Sequence, residues 1–296
     1  MNVNLELYRV FYLTATTGSI SKAAKEIFTS QPAVSQSIKV LESKLGGQLF
    51  IRTPKGVKLT VEGEILFKYI EQGYSFFRTA EQKFLEMKNL QAGQLRIGVS
   101  DTLCKGYLMS YLEKYTEAYP EIRIHVTNQT TFEIIDLLKG GKIDLGVINL
   151  PIKEDYSLEL APTLRIQDCF IVGKKFKELS IAPISLKNLL KYPMVLLEKD
   201  SNSRNFIDAY AEENGIKLCP EIELGTIDLL IQFAKRGLGI SCVVKNFIME
   251  ELENEEVFEL TVQEKIPERN IGIAQLKGTP VSAAVKKFIE ILINEK

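Results

Sequence analysis

Little in this chain suits metal or covalent chemistry. Its 296 residues include one histidine and four cysteines. Cys104, Cys169, Cys219 and Cys242 are widely spaced with no C-x-x-C pair, and His125 sits inside the apolar alternation Ile122-Arg123-Ile124-His125-Val126. That spacing offers no zinc site and no nucleophile-histidine constellation, so no catalytic residue, metal or cofactor is expected. The cysteines read as small buried hydrophobes of a reducing compartment, with Cys104, close to the expected ligand cleft, as the one candidate for a redox role. There is no P-loop and no G-x-G-x-x-G; Gly237-Leu238-Gly239-Ile240 is too short and leads into a strand instead of a helix. Signal peptide and apolar runs of about eighteen residues are also missing, which points to a cytoplasmic protein without a membrane partner.

What the chain does have is ample core and an uneven charge. At 45% hydrophobic and 25% charged residues it is a globular protein of two or three domains. The net charge of −1 divides into +4 over residues 1–62 and −5 over the remainder. A basic end of that size suits nucleic acid, and its modest excess suits two copies acting together.

Within the basic end, residues 19–63 carry two short helical patterns and a hairpin. Ile20, Ala23, Ala24 and Ile27 share one helix face, and a break follows at Phe28-Thr29-Ser30. Ser30 can cap a second helix whose first turn holds Pro32. In that helix Val34, Ile38, Leu41 and Leu45 form the buried stripe, which turns Pro32, Ser35, Gln36, Lys39 and Ser43 outward until Gly46-Gly47 ends it. Gln and Ser suit base edges and Lys suits a phosphate. Residues 49–52 and 57–60 alternate as strands around Thr53-Pro54-Lys55-Gly56, so Arg52, Lys55 and Lys58 project from a small wing suited to the DNA backbone and minor groove. Leu5, Val10, Phe11 and Leu13, with Leu7 and Tyr8, make a first helix beneath this pair.

From Glu64 to Leu90 runs one long helical pattern. Leu66, Ile70, Gly73, Phe77, Ala80, Phe84 and Met87 step by four and three, a heptad seam on a helix roughly 40 Å long. A second copy of the chain is the natural partner for that seam. Residues 91–94 read as a hinge. Strands and helices then alternate: strands over 95–99, 122–126, 144–148, 169–172, 194–197, 221–224, 240–244 and 270–276, with helices over 103–118, 132–138, 203–213, 228–235 and 281–294. This rhythm predicts a mostly parallel sheet arrangement in two lobes joined by two crossings.

Residues 5–63 closely resemble the N-terminal domain of LysR-type transcriptional regulators, through the G-S-I-S-K-A-A run, S-Q-P-A-V-S-Q-S-I-K-V-L-E, then L-F-I-R and the L-T-V-E-G close. The resemblance implies an α/β protein with an N-terminal winged helix-turn-helix (1–63), a long linker and dimerisation helix (64–92), and a two-lobed effector domain (93–296) similar to type 2 periplasmic binding proteins. Its lobe I would hold 93–165 and 269–296 and its lobe II 166–268. It also implies that Gln31, Pro32, Ser35 and Gln36, with Ser30 beside them, meet the major groove while Lys39 and Arg52 meet the backbone. Many members carry Arg where this chain has Gln36, and the amide favours adenine.

Ligands of open α/β sheets sit beyond the carboxyl ends of strands, near helix N-termini. Those ends carry Ser100-Asp101-Thr102, Asn128-Gln129-Thr130-Thr131 and Asn149 in the first lobe, and Ser201-Asn202-Ser203-Arg204 and Gly225-Thr226 in the second. The expected effector contacts are Ser100, Thr102, Thr130, Thr131, Asn149, Ser201, Ser203, Arg204 and Thr226, with Arg204 clamping a small anionic metabolite. The implied partners are promoter DNA, that metabolite, further copies of the chain as dimer or tetramer, and RNA polymerase. The competing readings are an α/β enzyme, or a solute-binding module with a non-specific DNA anchor.

Overall fold

The computed structural model describes residues 3–54, 56–88, 93–199 and 201–294, which divide into two units, Met1–Phe84 and Leu85–Lys296. Lys55 of the wing and Gln91 and Ala92 of the expected hinge lie outside the described residues, as does the side chain of Met87. No helix among the described residues is long and apolar enough to cross a membrane.

In the first unit, local capping sets the helix limits. α1 (Leu5–Thr17) starts at Asn4, whose side chain accepts from Glu6 N–H, and stops at Gly18 with φ 62°. α2 (Ile20–Glu26) starts at Ser19, which accepts from Lys22 N–H. α3 (Gln31–Leu45) starts at Ser30, which accepts from Ala33 N–H, carries Pro32 in its first turn, and ends at Gly46 with φ 77°. Between α2 and α3 the turn holds Phe28 at φ 54° and almost wholly exposed. Val10, Ala23, Ala24, Val34 and Ile38 form one small core, and Phe11, Leu41 and Leu49 a second. Leu5 and Leu45, expected inside, are exposed because each lies at a helix end beyond its packing partners.

β1 (Phe50–Thr53) and β2 (Gly56–Leu59) pair antiparallel as the wing. Val57 N–H donates to Gly18 O, and a Cβ on Gly56 would come within 2.3 Å of that same oxygen. Only glycine lets the wing lie on the end of α1. α4 (Val61–Lys88) follows. Here the seam needs correcting. Leu66 and Ile70 pack, with Phe67, on the Phe11–Leu41–Leu49 core of their own unit. Among the described residues, the apolar side chains left exposed on α4 are Val61, Ile65, Tyr69, Phe76, Phe77 and Phe84.

The second unit holds two five-stranded sheets. β3 (Gln94–Val99) is followed by α5 (Asp101–Leu103), a π-helical turn (Cys104–Leu108) and α6 (Met109–Ala118), then β4 (Arg123–Asn128), α7 (Thr131–Lys139), β5 (Leu145–Leu150) and β6 (Leu158–Ile166). β7 (Asp168–Val172), α8 (Leu186–Leu189), β8 (Met194–Leu197), α9 (Asn202–Glu213), β9 (Ile222–Leu224), α10 (Ile227–Lys235), β10 (Ile240–Val244), α11 (Met249–Glu253) and β11 (Phe258–Leu260) come next. β12 (Arg269–Leu276) and α12 (Ala283–Asn294) close the chain.

The first sheet has order β4-β3-β5-β12-β6 and the second β11-β7-β10-β8-β9. Within them β3 pairs parallel with β4 and β5, and β8 pairs parallel with β9 and β10. The crossing strands run the other way: β12 is antiparallel to β5 and β6, and β7 is antiparallel to β10 and β11. The sheets are therefore mixed instead of mostly parallel, since a strand that arrives straight from the other lobe needs no crossover helix. β12 joins the sheet of β3 to β5, so the chain crosses between lobes at 166–168 and again at Arg269.

Candidate functional site

In the first unit α3 and the wing share one polar groove of about 350 Å³, lined by Ser35, Lys39, Glu42, Gln48, Ile51 and Arg52 among others. Ser35 is half-buried there, whereas Ser30, Gln31, Pro32, Gln36, Lys39, Arg52 and Lys58 are exposed. The structure thus gathers Ser35, Lys39 and Arg52 around one groove and leaves Gln31, Pro32 and Gln36 on the open face of α3. The Glu42 carboxylate accepts from the N–H groups of Leu49, at 2.8 Å, and Phe50, and so ties the wing to α3. Ser21, not anticipated from the sequence, donates from Oγ to Gln31 Oε1 at 3.0 Å and so steadies the first side chain of α3. Its position as the second residue of α2 is readable; its reach to Gln31 depends on the packing of α2 against α3.

In the second unit a cavity of about 230 Å³ lies between the two sheets at the carboxyl ends of β3, β4, β5 and β8. Ser100, Thr102, Thr130, Thr131, Asn149, Ser201, Ser203 and Thr226 all line it, as do Asp101, Asn128, Gln129, Glu133 and Asn202. Four of these are helix N-caps: Ser100 for α5, Thr130 for α7, Ser201 for α9 and Thr226 for α10. Three of the four hydroxyls are engaged by their own helices. Thr130 Oγ1 accepts from Glu133 N–H, Ser201 Oγ from Arg204 N–H and Thr226 Oγ1 from Leu229 N–H. Ser100 Oγ is buried and makes no hydrogen bond among the described residues.

Arg204 is not where the sequence put it. It does not line the cavity. Its side chain is 1% exposed and turned inward, with Nε on Asp208 at 2.9 Å and Nη1 on Leu197 O at 2.6 Å and Glu223 at 2.7 Å. Two carboxylates and a carbonyl satisfy the guanidinium, so it holds α9 to β8 and β9 and has no charge to spare for a ligand.

The charge beneath the cavity comes from Arg269, which sequence reading missed. It is 2% exposed at the start of β12. Nε and Nη2 reach both carboxylate oxygens of Asp168, Nη1 donates to Asn149 Oδ1 at 2.7 Å, and Nη2 donates to Ser203 Oγ at 3.0 Å. This joins both crossings and both walls of the cavity. It also sets polarity. With Oδ1 of Asn149 accepting from Arg269, the amide nitrogen is the group left for the cavity; with Ser203 Oγ accepting, its O–H is free to donate. Asn202 Nδ2 adds bonds to the Asn149 and Pro151 carbonyls, each at 3.1 Å, and locks α9 to the end of β5.

Cys104 is half-buried and absent from the lining, and burial, then Asp101, push its thiol pKa up, away from thiolate reactivity. No cluster of three or more His, Cys, Asp or Glu able to hold a metal occurs among the described residues.

Comparison with known proteins gives this architecture its family. Residues 5–64 match the family described as "Bacterial regulatory helix-turn-helix protein, lysR family", and residues 88–296 match the LysR substrate binding domain. The chain belongs to the LysR family of transcriptional regulators. A "Probable RuBisCO transcriptional regulator" of Cyanidioschyzon merolae is 31% identical over 88% of this chain and 87% of its own. A "RuBisCO operon transcriptional regulator" of Allochromatium vinosum is 27% identical over 100% of this chain and 97% of its own. Among solved structures, a full-length OxyR variant from Pseudomonas aeruginosa superposes with TM-score 0.66 at 19% identity, covering 99% of this chain and 94% of that one, which shows a shared fold. As a LysR-family regulator the chain joins a DNA-binding winged helix-turn-helix to a small-molecule-sensing α/β domain.

Proposed function

We propose that this regulator binds its promoter as a homodimer, or as a tetramer of two such dimers, and changes that binding when a small molecule with an anionic group fills the cavity. Its working divisions are then 1–63 for DNA, 64–92 for dimerisation and 93–296 for the effector, with lobe I formed by 93–165 and 269–296 and lobe II by 166–268. Gln31, Pro32, Ser35 and Gln36 read bases in the major groove, Ser30 lies beside them, and Lys39, Arg52, Lys55 and Lys58 meet phosphates. The dimer is supported by the row Ile65, Tyr69, Phe77 and Phe84 on α4, an apolar stripe of a length that calls for a partner helix. The protein acts in the cytoplasm, beside RNA polymerase, and is a regulator without enzymatic turnover.

One observation carries the sensing half: four helix N-termini converge on a cavity lined by Asn149 and Ser203, whose oxygens accept from Arg269 and so leave the amide N–H and the hydroxyl O–H to donate. Helix N-termini and oriented donors favour negative charge. Ser100, Thr102, Thr130, Thr131, Ser201 and Thr226 complete the contact set. Ligand and DNA are then coupled, each changing the other's affinity by the same factor. Asn149→Asp tests this, since a carboxylate keeps the acceptor that Arg269 needs but replaces the donor with negative charge. The variant keeps wild-type affinity for promoter DNA and loses its response to effector. A full response in the variant would refute the proposed site.

A further inference from the structure

The two walls of the cavity differ in charge. On the second-lobe wall, α9 has no acidic residue in its first turn, and Asp228 in the first turn of α10 is paired with Lys105 at 2.9 Å. That wall keeps the positive ends of both helices and the outward donor of Ser203. The first-lobe wall already carries its own anions. Asp101 lies in the first turn of α5 and Glu133 in the first turn of α7, and both line the cavity. Glu133 accepts from Thr130 N–H at 2.9 Å and Thr130 Oγ1 at 2.8 Å, which holds its carboxyl below the usual carboxylate range. Asp101 accepts from the Asn128 amide.

No lysine, arginine or histidine stands among the described residues that line the cavity. Each helix N-terminus is equivalent to roughly half a positive charge, α5 being continued through the π-helical turn and α6, so four amount to about two, and the two carboxylates offset them. The cavity is close to neutral yet polarised from wall to wall. A ligand with several negative charges would find no mobile cation to meet it and two carboxylates against it. The Ser100 hydroxyl, buried with no hydrogen-bond partner among the described residues and unused by its own helix, is a further polar atom for a ligand to pair with.

We infer that the effector is bipolar: a small monocarboxylic acid that also carries an ammonium or hydroxyl donor, its carboxylate toward α9 and its donor toward Asp101 and Glu133. A cavity of about 230 Å³ lies below the range of about 300–1,000 Å³ typical of drug-sized sites, which limits this acid to metabolite size. The inference rests on the cavity being the effector site and adds the class of molecule that fits it.

The test uses the full-length protein and isothermal titration with matched probes: 2-amino acids and 2-hydroxy acids of three to nine carbons, the unsubstituted carboxylates of the same frames, dicarboxylates and phosphate monoesters. The expected result is binding by an amino or hydroxy acid at least ten-fold tighter than by its unsubstituted, dicarboxylic and phosphorylated counterparts. In Glu133→Gln and Asp101→Asn that ratio falls at least three-fold, and both variants keep the wild-type melting temperature within the range of a surface change. A dianion that binds more tightly, and does so only with Asn149 intact, overturns the bipolar class and leaves the sensing site standing. Binding by no probe overturns the bipolar class; if DNA affinity is also indifferent to every probe, the sensing site falls with it.

Discussion

Replacing Arg269 with methionine removes a cation that joins both crossings to both walls of the cavity. Its pairing with Asp168 is buried, the two side chains being 0% and 5% exposed. Removing one partner of a buried pair typically costs about 3–5 kcal/mol, because the other charge stays buried without compensation. In a unit of this size each kcal/mol lowers the melting temperature by roughly 2–4 °C, so Arg269→Met should melt about 6–20 °C lower. Urea denaturation followed by circular dichroism reads this as a lower midpoint with an unchanged slope. The double variant Arg269→Met, Asp168→Leu should recover most of the loss, since an apolar pair of similar volume often replaces a buried ion pair without penalty. A loss below about 1 kcal/mol in the single variant, or additive losses in the double, would refute the view that this pair holds the crossings together.

Other consequences follow from single contacts. A Cβ on Gly63 would lie 2.2 Å from the backbone oxygen of Leu49, so Gly63→Ala should cost about 1–3 kcal/mol through forced backbone movement and lower the melting temperature of the first unit. Lys39→Ala and Arg52→Ala should each weaken binding to all DNA sequences alike and reduce the slope of log affinity against log salt by about 0.9, read by anisotropy titrations at several salt concentrations. Asp155 is held down to about 2 by hydrogen bonds from the Lys139 ammonium and the Ser157 hydroxyl. Its folded pKa is depressed, so its contribution is complete above the unfolded value near 4 and is lost as pH falls from there through about 2. Lys139→Ala should therefore flatten stability against pH over that window.

Sequence alone reaches furthest where structure is local. The face of Ile20, Ala23 and Ala24, the cap at Ser30 and Pro32, and the stop at Gly46 are all set within one or two turns, and the structure keeps each of them. The strand ends that line the cavity were equally legible, because small polar residues after a β-strand mark helix caps. What escaped depends on distance along the chain. Arg269 meets Asp168, Asn149 and Ser203 across separations of 101, 120 and 66 residues, and no periodicity announces such a meeting. Arg204 misled because its place in the first turn of α9 suggested a ligand, whereas Asp208, one turn on, and Glu223 draw the side chain inward. Leu66 and Ile70 fit a heptad seam by spacing, yet the small core under Phe11 and Leu41 needs them as a lid. β6 went unpredicted with Pro162 in its middle; it is an edge strand with an irregular register against β12, the setting in which a strand tolerates proline.

The most direct test is the affinity of the purified protein for DNA upstream of its own coding sequence, set against an unrelated fragment at one fixed salt concentration, with and without a cavity ligand. A DNA reader coupled to a sensor predicts at least a thousand-fold preference, of the order separating specific from non-specific binding, and a change in that affinity when the ligand is added. Equal affinity for both fragments, governed by salt alone and indifferent to the ligand, would contradict it.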